Sequence, residues 1–158
     1  MAANQHRYRV HLVWTGGPGS ASFRNHNRDY LLSSGDKPPI SGSSDAIFRG
    51  NAARWNPEDL LVASLSACHM LTFIDTARHH GFVVDLYEDD AVGVLGRTAE
   101  GRRAITSVTL RPRIGFVGPQ PSPDQLADLH HRAHEGCFIA NSVRTVVTVA
   151  PADANAGA

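Results

Sequence analysis

Hydrophobic and polar positions alternate over residues 7–14, with Tyr8, Val10, Leu12 and Trp14 on one side and Arg9, His11 and Val13 on the other, which predicts a half-buried strand. The Gly16-Gly17-Pro18-Gly19 run reads as a reversing turn. Residues 20–24 and 28–32 read as two more strands about a turn at 25–27, giving an N-terminal antiparallel meander. Over residues 33–54 the pattern dissolves into Gly, Ser, Pro and Asp. Such an irregular span is longer than compact domains usually carry without a functional reason, so it is a candidate active-site loop. A helix starts next: Asn56 is a good cap, Pro57 fits the first position, and Glu58 and Asp59 complement the positive helix end. Leu60, Leu61, Leu65, Cys68, Leu71, Phe73 and Ile74 make it apolar on most faces, which predicts a buried central helix, stopped at Gly81.

Residues 82–95 and 104–117, rich in Val, Ile and Leu, are expected as two long strands joined by a polar turn at 97–103, a hairpin able to cover that helix. Ser122 with Gln125 three residues on is a capping-box signature, predicting a second helix to about Glu135 that Gly136 closes. Residues 138–143 read as one more helical turn, 145–149 as a strand and 151–158 as a frayed tail. The order of strands, helix, strands, helix, strand indicates an α+β fold, expected as a single domain over residues 1–158.

Charge narrows the function classes. Fifteen Lys and Arg balance fifteen Asp and Glu, so no global field draws the chain to nucleic acid or an anionic membrane. The most apolar stretch, 60–74, is interrupted by Ser64, Ser66, His69 and Thr72, so no membrane span is expected. The opening residues lack the apolar core of a signal peptide, which points to the cytoplasm. There are two cysteines, too few for a disulfide scaffold, and in a reducing compartment a Cys68–Cys137 bond would be transient and therefore chemical.

A lone Cys within an apolar helix is most often a small buried hydrophobe. Here Ser64 and His69 flank Cys68, and Cys137 follows directly on a helix end, which makes a redox pair reasonable. The thiolate is the reactive form, so a cation near Cys68 is wanted; Arg24, Arg28, Arg49 and Arg54 all precede the helix. Glu58 stands ten residues before Cys68, about 15 Å along a helix axis, so it acts only through a spanning side chain such as an arginine, if it does more than complement the helix dipole. A competing constellation is His130, His134 and Cys137, which with Cys68 supplies four zinc-type ligands. His130-His131 and His79-His80 otherwise read as solvated surface residues, and His69 as packing or a supporting hydrogen-bond partner. A third reading is a non-enzymatic module binding a small hydrophobic ligand.

The run Asn56-Pro57-Glu58-Asp59-Leu60-Leu61-Val62-Ala63-Ser64-Leu65-Ser66-Ala67-Cys68-His69-Met70-Leu71, with Ala133-His134-Glu135-Gly136-Cys137-Phe138-Ile139-Ala140-Asn141-Ser142, resembles the OsmC/Ohr family of hydroperoxide-reducing proteins. The resemblance implies bent antiparallel sheets wrapped around central helices in an intertwined homodimer. It also implies a peroxidase in which Cys68 attacks an organic hydroperoxide, Cys137 resolves the sulfenic acid, and a dithiol, possibly of lipoyl type, restores both thiols. No cofactor or metal is implied. Glu58 matches the family's glutamate that orients an arginine; Arg49 is the nearest match for that arginine and Arg28 the second. The Ohr-type arginine position falls at Gly17-Pro18-Gly19, a departure from that pattern. Phe48, Trp55, Leu71, Phe73 and Phe138 are expected either to wall an apolar substrate pocket near the thiols or to be ordinary core.

Overall fold

Local capping chemistry places both helices. The computed structural model describes residues 5–17 and 26–150. The expected strand at 20–24, the later part of the Gly16-Gly19 turn, Asn25 and the tail lie outside those residues. Two compact units are formed, 1–60 and 61–158.

In the first unit, β1 (His11–Trp14), β2 (Tyr30–Ser33) and β3 (Ile40–Gly42) make an antiparallel sheet in sequence order, a meander whose first and second strands fall within or near the expected 7–14 and 28–32 but whose third is not one of those expected. Its third strand lies inside the stretch expected to be irregular. Ile40-Ser41-Gly42 has weak strand character of its own, and pairing supplies what propensity does not. Gly42 stands opposite Tyr30, whose ring occupies the space a β-carbon would need, 2.2 Å from its ideal position. β1 is not half-buried as its alternation predicts, because all four of its residues are exposed. A 3-10 turn at Ala46–Phe48 follows, capped by Asp45, whose carboxylate accepts from the Ile47 amide at 2.7 Å. The helix start is as expected: Asn56 Oδ1 accepts from the Asp59 amide at 2.7 Å, and Asp59 Oδ2 accepts from the Asn56 amide.

Helix α1 (Pro57–His79) ends before Gly81, whose φ of 82° is the left-handed stop. In length and hydropathy α1 matches a membrane-crossing helix, which the interrupted pattern did not suggest; core helices of water-soluble folds meet the same measure. Nor is α1 buried all round. It buries one stripe, Leu65, His69, Phe73 and Ala77, at the four-residue spacing of a single helix face.

In the second unit each expected long strand is broken in two. β4 (Val83–Asp89) pairs with β7 (Pro112–Val117), and β5 (Val92–Arg97) pairs with β6 (Arg103–Leu110), all antiparallel. The hairpin partners are therefore those expected, but breaks at Asp90-Ala91 and at Arg111 divide the hairpin into two sheets. β8 (Val146–Val149) joins β6 in parallel. Each sheet has its own core. Phe73 and Ala77 pack with Leu129 and Ala133 of α2 (Pro123–Gly136) over Val84, Ile114 and Phe116. Leu65 packs with Val108 and Leu110, and with Ile105, Ile139 and Val147 around them.

The junction of the two cores is polar. Ser66 donates to the Asp89 carboxylate, whose other oxygen accepts from the Arg111 amide at 2.6 Å, closing the strand break. His69, 1% exposed, stacks on His130 with ring centroids 5.4 Å apart and Nε2···Nδ1 3.1 Å. His130, expected at the surface, is buried and lies 4.5 Å from the Phe73 ring. Leu126, Leu129, His130 and Ala133 recur at helical spacing, the sequence signal that puts His130 on the apolar face.

Burial pushes both imidazoles down from 6.5 to about 4; for His69, His130 and His134 add to the shift and Asp89 opposes it. An unfolded histidine takes up its proton near 6.5, so between that pH and 4 the unfolded chain binds more protons. Stability should therefore be full above about pH 6.5 and fall toward pH 4 by up to about 3 kcal/mol for each histidine, read from urea midpoints across that range. His130→Leu should flatten the slope. Phe73→Ala, at a fully buried position, is expected to cost about 3–5 kcal/mol in the same assay.

Candidate redox site

The capping box predicted at Ser122 and Gln125 is present in both directions, and it sets the start of α2. Cys137 is the residue capping the other end, its amide donating to the His134 carbonyl at 3.2 Å. Gly136 is therefore the last residue of the helix and not a left-handed stop beyond it, since its φ is not positive. The next turn, Ala140–Ser142, returns the chain over the thiol: the Ala140 amide reaches Cys137 Sγ at 3.4 Å and the Asn141 amide reaches the Cys137 carbonyl at 3.0 Å.

Cys68 lies on α1 and is partly exposed, while Cys137 is 1% exposed, and both are free thiols. The Cys137 thiol is within hydrogen-bonding reach of Cys68. Burial pushes the Cys137 thiol pKa up, and the hydrogen bond with Cys68 adds to this, against a smaller opposing effect of the Ala140 and Ile139 amides. Two neighbouring thiols, one accessible and one buried with its pKa raised, can interconvert between dithiol and disulfide. One turn beyond Cys68, Thr72 Oγ1 donates to the Cys68 carbonyl at 2.9 Å.

The zinc reading fails. His130 turns to His69 inside the core, and among the described residues no three His, Cys, Asp or Glu side chains gather as a metal-holding group. His69 has the packing and hydrogen-bonding role expected of it, and His79 and His80 are exposed, each donating Nδ1–H to a carbonyl one turn back.

The remaining residues stand apart from one another. Glu58 is partly buried and close enough to Tyr30 for its charge, after burial, to raise the phenol pKa. Among the described residues it forms no ion pair with Arg28, Arg49 or Arg54; Arg54 pairs instead with Asp29 at 3.0 Å. Arg49 is exposed and is the one described residue other than glycine with positive φ, 66°. Arg28 donates to the His26 carbonyl and, with Trp14, His26, Asn27, Ser44 and Phe48, lines an open cleft of about 530 Å³. Phe48, Trp55, Leu71 and Phe138 are all exposed, so none is ordinary core, whereas Phe73 is wholly core.

The fold has close counterparts. An OsmC-like protein of unknown function from Vibrio cholerae is 33% identical, with a TM-score of 0.88 over 93% of this chain and 99% of that one. An organic hydroperoxide resistance protein OsmC from Legionella pneumophila shares the fold at 18% identity, TM-score 0.70, over 94% and 100% of the two chains. One from Elizabethkingia anophelis does so at 21% identity, TM-score 0.68, over 94% and 96%. No protein of curated function shows a significant match. The family model described as OsmC-like protein matches residues 50–151, a span holding both cysteines, and the chain accordingly belongs to the OsmC-like family.

Proposed function

We propose that this protein is a thiol peroxidase that reduces organic hydroperoxides to alcohols with Cys68 as the attacking thiol and Cys137 as the resolving one. The observation that carries the reading is the pairing of a partly exposed Cys68 with a buried Cys137 in hydrogen-bonding reach. Peroxide meets the accessible sulfur. The Cys68 thiolate attacks one oxygen of ROOH, the O–O bond breaks, and RO⁻ leaves to be protonated as the alcohol. The sulfenic acid on Cys68 is then attacked by Cys137, whose proton leaves with the displaced hydroxide as water. A small external dithiol reduces the disulfide by exchange. Membership of a family with members named for organic hydroperoxide resistance supports the choice of substrate.

Arg49 is the cation we assign to the activated site. A positive φ in a residue with a β-carbon is retained where the surrounding structure holds it, and such positions concentrate at functional sites. Arg28 is the second choice, with Glu58 orienting the guanidinium. The working unit is a homodimer: Leu12, Trp14 and Leu71 are apolar and exposed in the single chain, and such surface is costly to leave in water. Free thiols suit the cytoplasm. The open cleft with Trp14 and Phe48 on its wall favours an apolar ligand as a second reading, binding without turnover.

After one equivalent of cumene hydroperoxide, intact mass should show loss of two hydrogens and a Cys68–Cys137 disulfide. Cys68→Ser should leave Cys137 unmodified, and Cys137→Ser should accumulate a sulfenic acid that dimedone traps; unreacted thiols in the wild type would overturn the peroxidase. Ligand-induced thermal stabilisation that persists in Cys68→Ser, without turnover, would favour the second reading. Arg49→Ala is expected to slow oxidation about 100-fold, and a larger effect of Arg28→Ala would transfer the role. Light scattering should give twice the 17.0 kDa chain mass.

A further inference from the structure

Gly136 gives up helix stability relative to alanine without using the conformational freedom that glycine offers, since it ends α2 without a positive φ. The reason is space. A β-carbon built there would stand 3.0 Å from Thr72 Cγ2, closer than carbon atoms ordinarily pack, and it meets nothing else nearby. Thr72 cannot swing its methyl away without loss, because its hydroxyl is bound to the Cys68 carbonyl at 2.9 Å and that bond holds the side-chain torsion. The contact thus lies one helical turn from Cys68 on α1 and one residue from Cys137 on α2. From Cys137 onward the chain is held as a unit by its amide on His134, the Asn141 amide on its carbonyl and the Asn141 side chain on the Glu135 carbonyl. A shift at Gly136 is therefore carried to the sulfur.

We propose that Gly136, seated against the Thr72 methyl, is the positioning residue that brings the Cys137 sulfur onto Cys68. This rests on Cys137 being the resolving thiol, and its test uses an oxidant that needs no peroxidase chemistry. Diamide, an azo compound, takes up the two electrons and two protons released as the two thiols join. Reduced wild type, Gly136→Ala and Gly136→Ala/Thr72→Ser are mixed with diamide, quenched in acid with an alkylating agent, and the Cys68–Cys137 disulfide is followed by intact mass. Thr72→Ser removes the methyl and keeps the hydroxyl.

Disulfide formation is expected to slow about tenfold in Gly136→Ala, the cost of a sub-ångström misplacement, and to return to within about twofold of wild type in the double variant. A Gly136→Ala rate equal to wild type overturns the proposal, and so does slowing that Thr72→Ser does not relieve, which would mark a general disturbance of the helix. If Gly136→Ala does not fold, Thr72→Ile crowds the same contact from α1, and an unchanged rate there overturns it. A wild type inert to hydroperoxide but normal in this series would sink the peroxidase and leave the role of Gly136 standing.

Discussion

One face of α1 holds the second unit together. Leu65, His69, Phe73 and Ala77 are its four buried residues, and they serve two cores: Leu65 belongs to the β5–β6–β8 sheet, Phe73 and Ala77 to the β4–β7 sheet with α2. A stripe only one residue wide cannot be split between sheets unless something fills the seam. His69 fills it, with His130 stacked on it from α2, while Asp89 ties Ser66 to the broken strand at Arg111. The seam is polar because a broken hairpin leaves backbone groups to satisfy, and each polar atom named there has found a partner.

That seam also sets the address of the thiols. Cys68 precedes His69 on the helix, and Cys137 ends the helix that carries His130. Fixing the register of α2 on α1 through the two rings also fixes which residues meet toward the end of α2, and those are Thr72 with Gly136 and Cys68 with Cys137. Burial of the histidines and apposition of the sulfurs are therefore two results of one helix packing.

Signals confined to a few neighbouring residues were legible in the sequence. Asn56-Pro57 and Ser122 with Gln125 mark helix starts by bonds made within four residues, and both are present. The two cysteine segments were legible as a family pattern, and the family is confirmed. What escaped depends on partners distant along the chain. β3 exists because Tyr30 covers Gly42, the long strands break where Asp89 meets Arg111, and nothing in the described chain covers β1 or Leu71 of α1. Apolar periodicity reports that a face wants cover, not which chain supplies it. Histidine composition alone puts His130 at the surface, whereas its position on an apolar helix face buries it against His69 and removes it from any zinc set.

The unequal exposure of the two sulfurs would give a disulfide between them a direction. In a Cys68–Cys137 bond only the Cys68 sulfur would face the solvent, since Cys137 lies under the Ala140–Ser142 turn. A thiolate attacks along the line of an S–S bond, so one reducing such a disulfide would enter at Cys68 and expel Cys137. The mixed disulfide would then always sit on the helix and the leaving thiol always return to the interior. Reduction would retrace the path of oxidation, and the choice of reductant would rest on what can approach a single sulfur on the surface of α1.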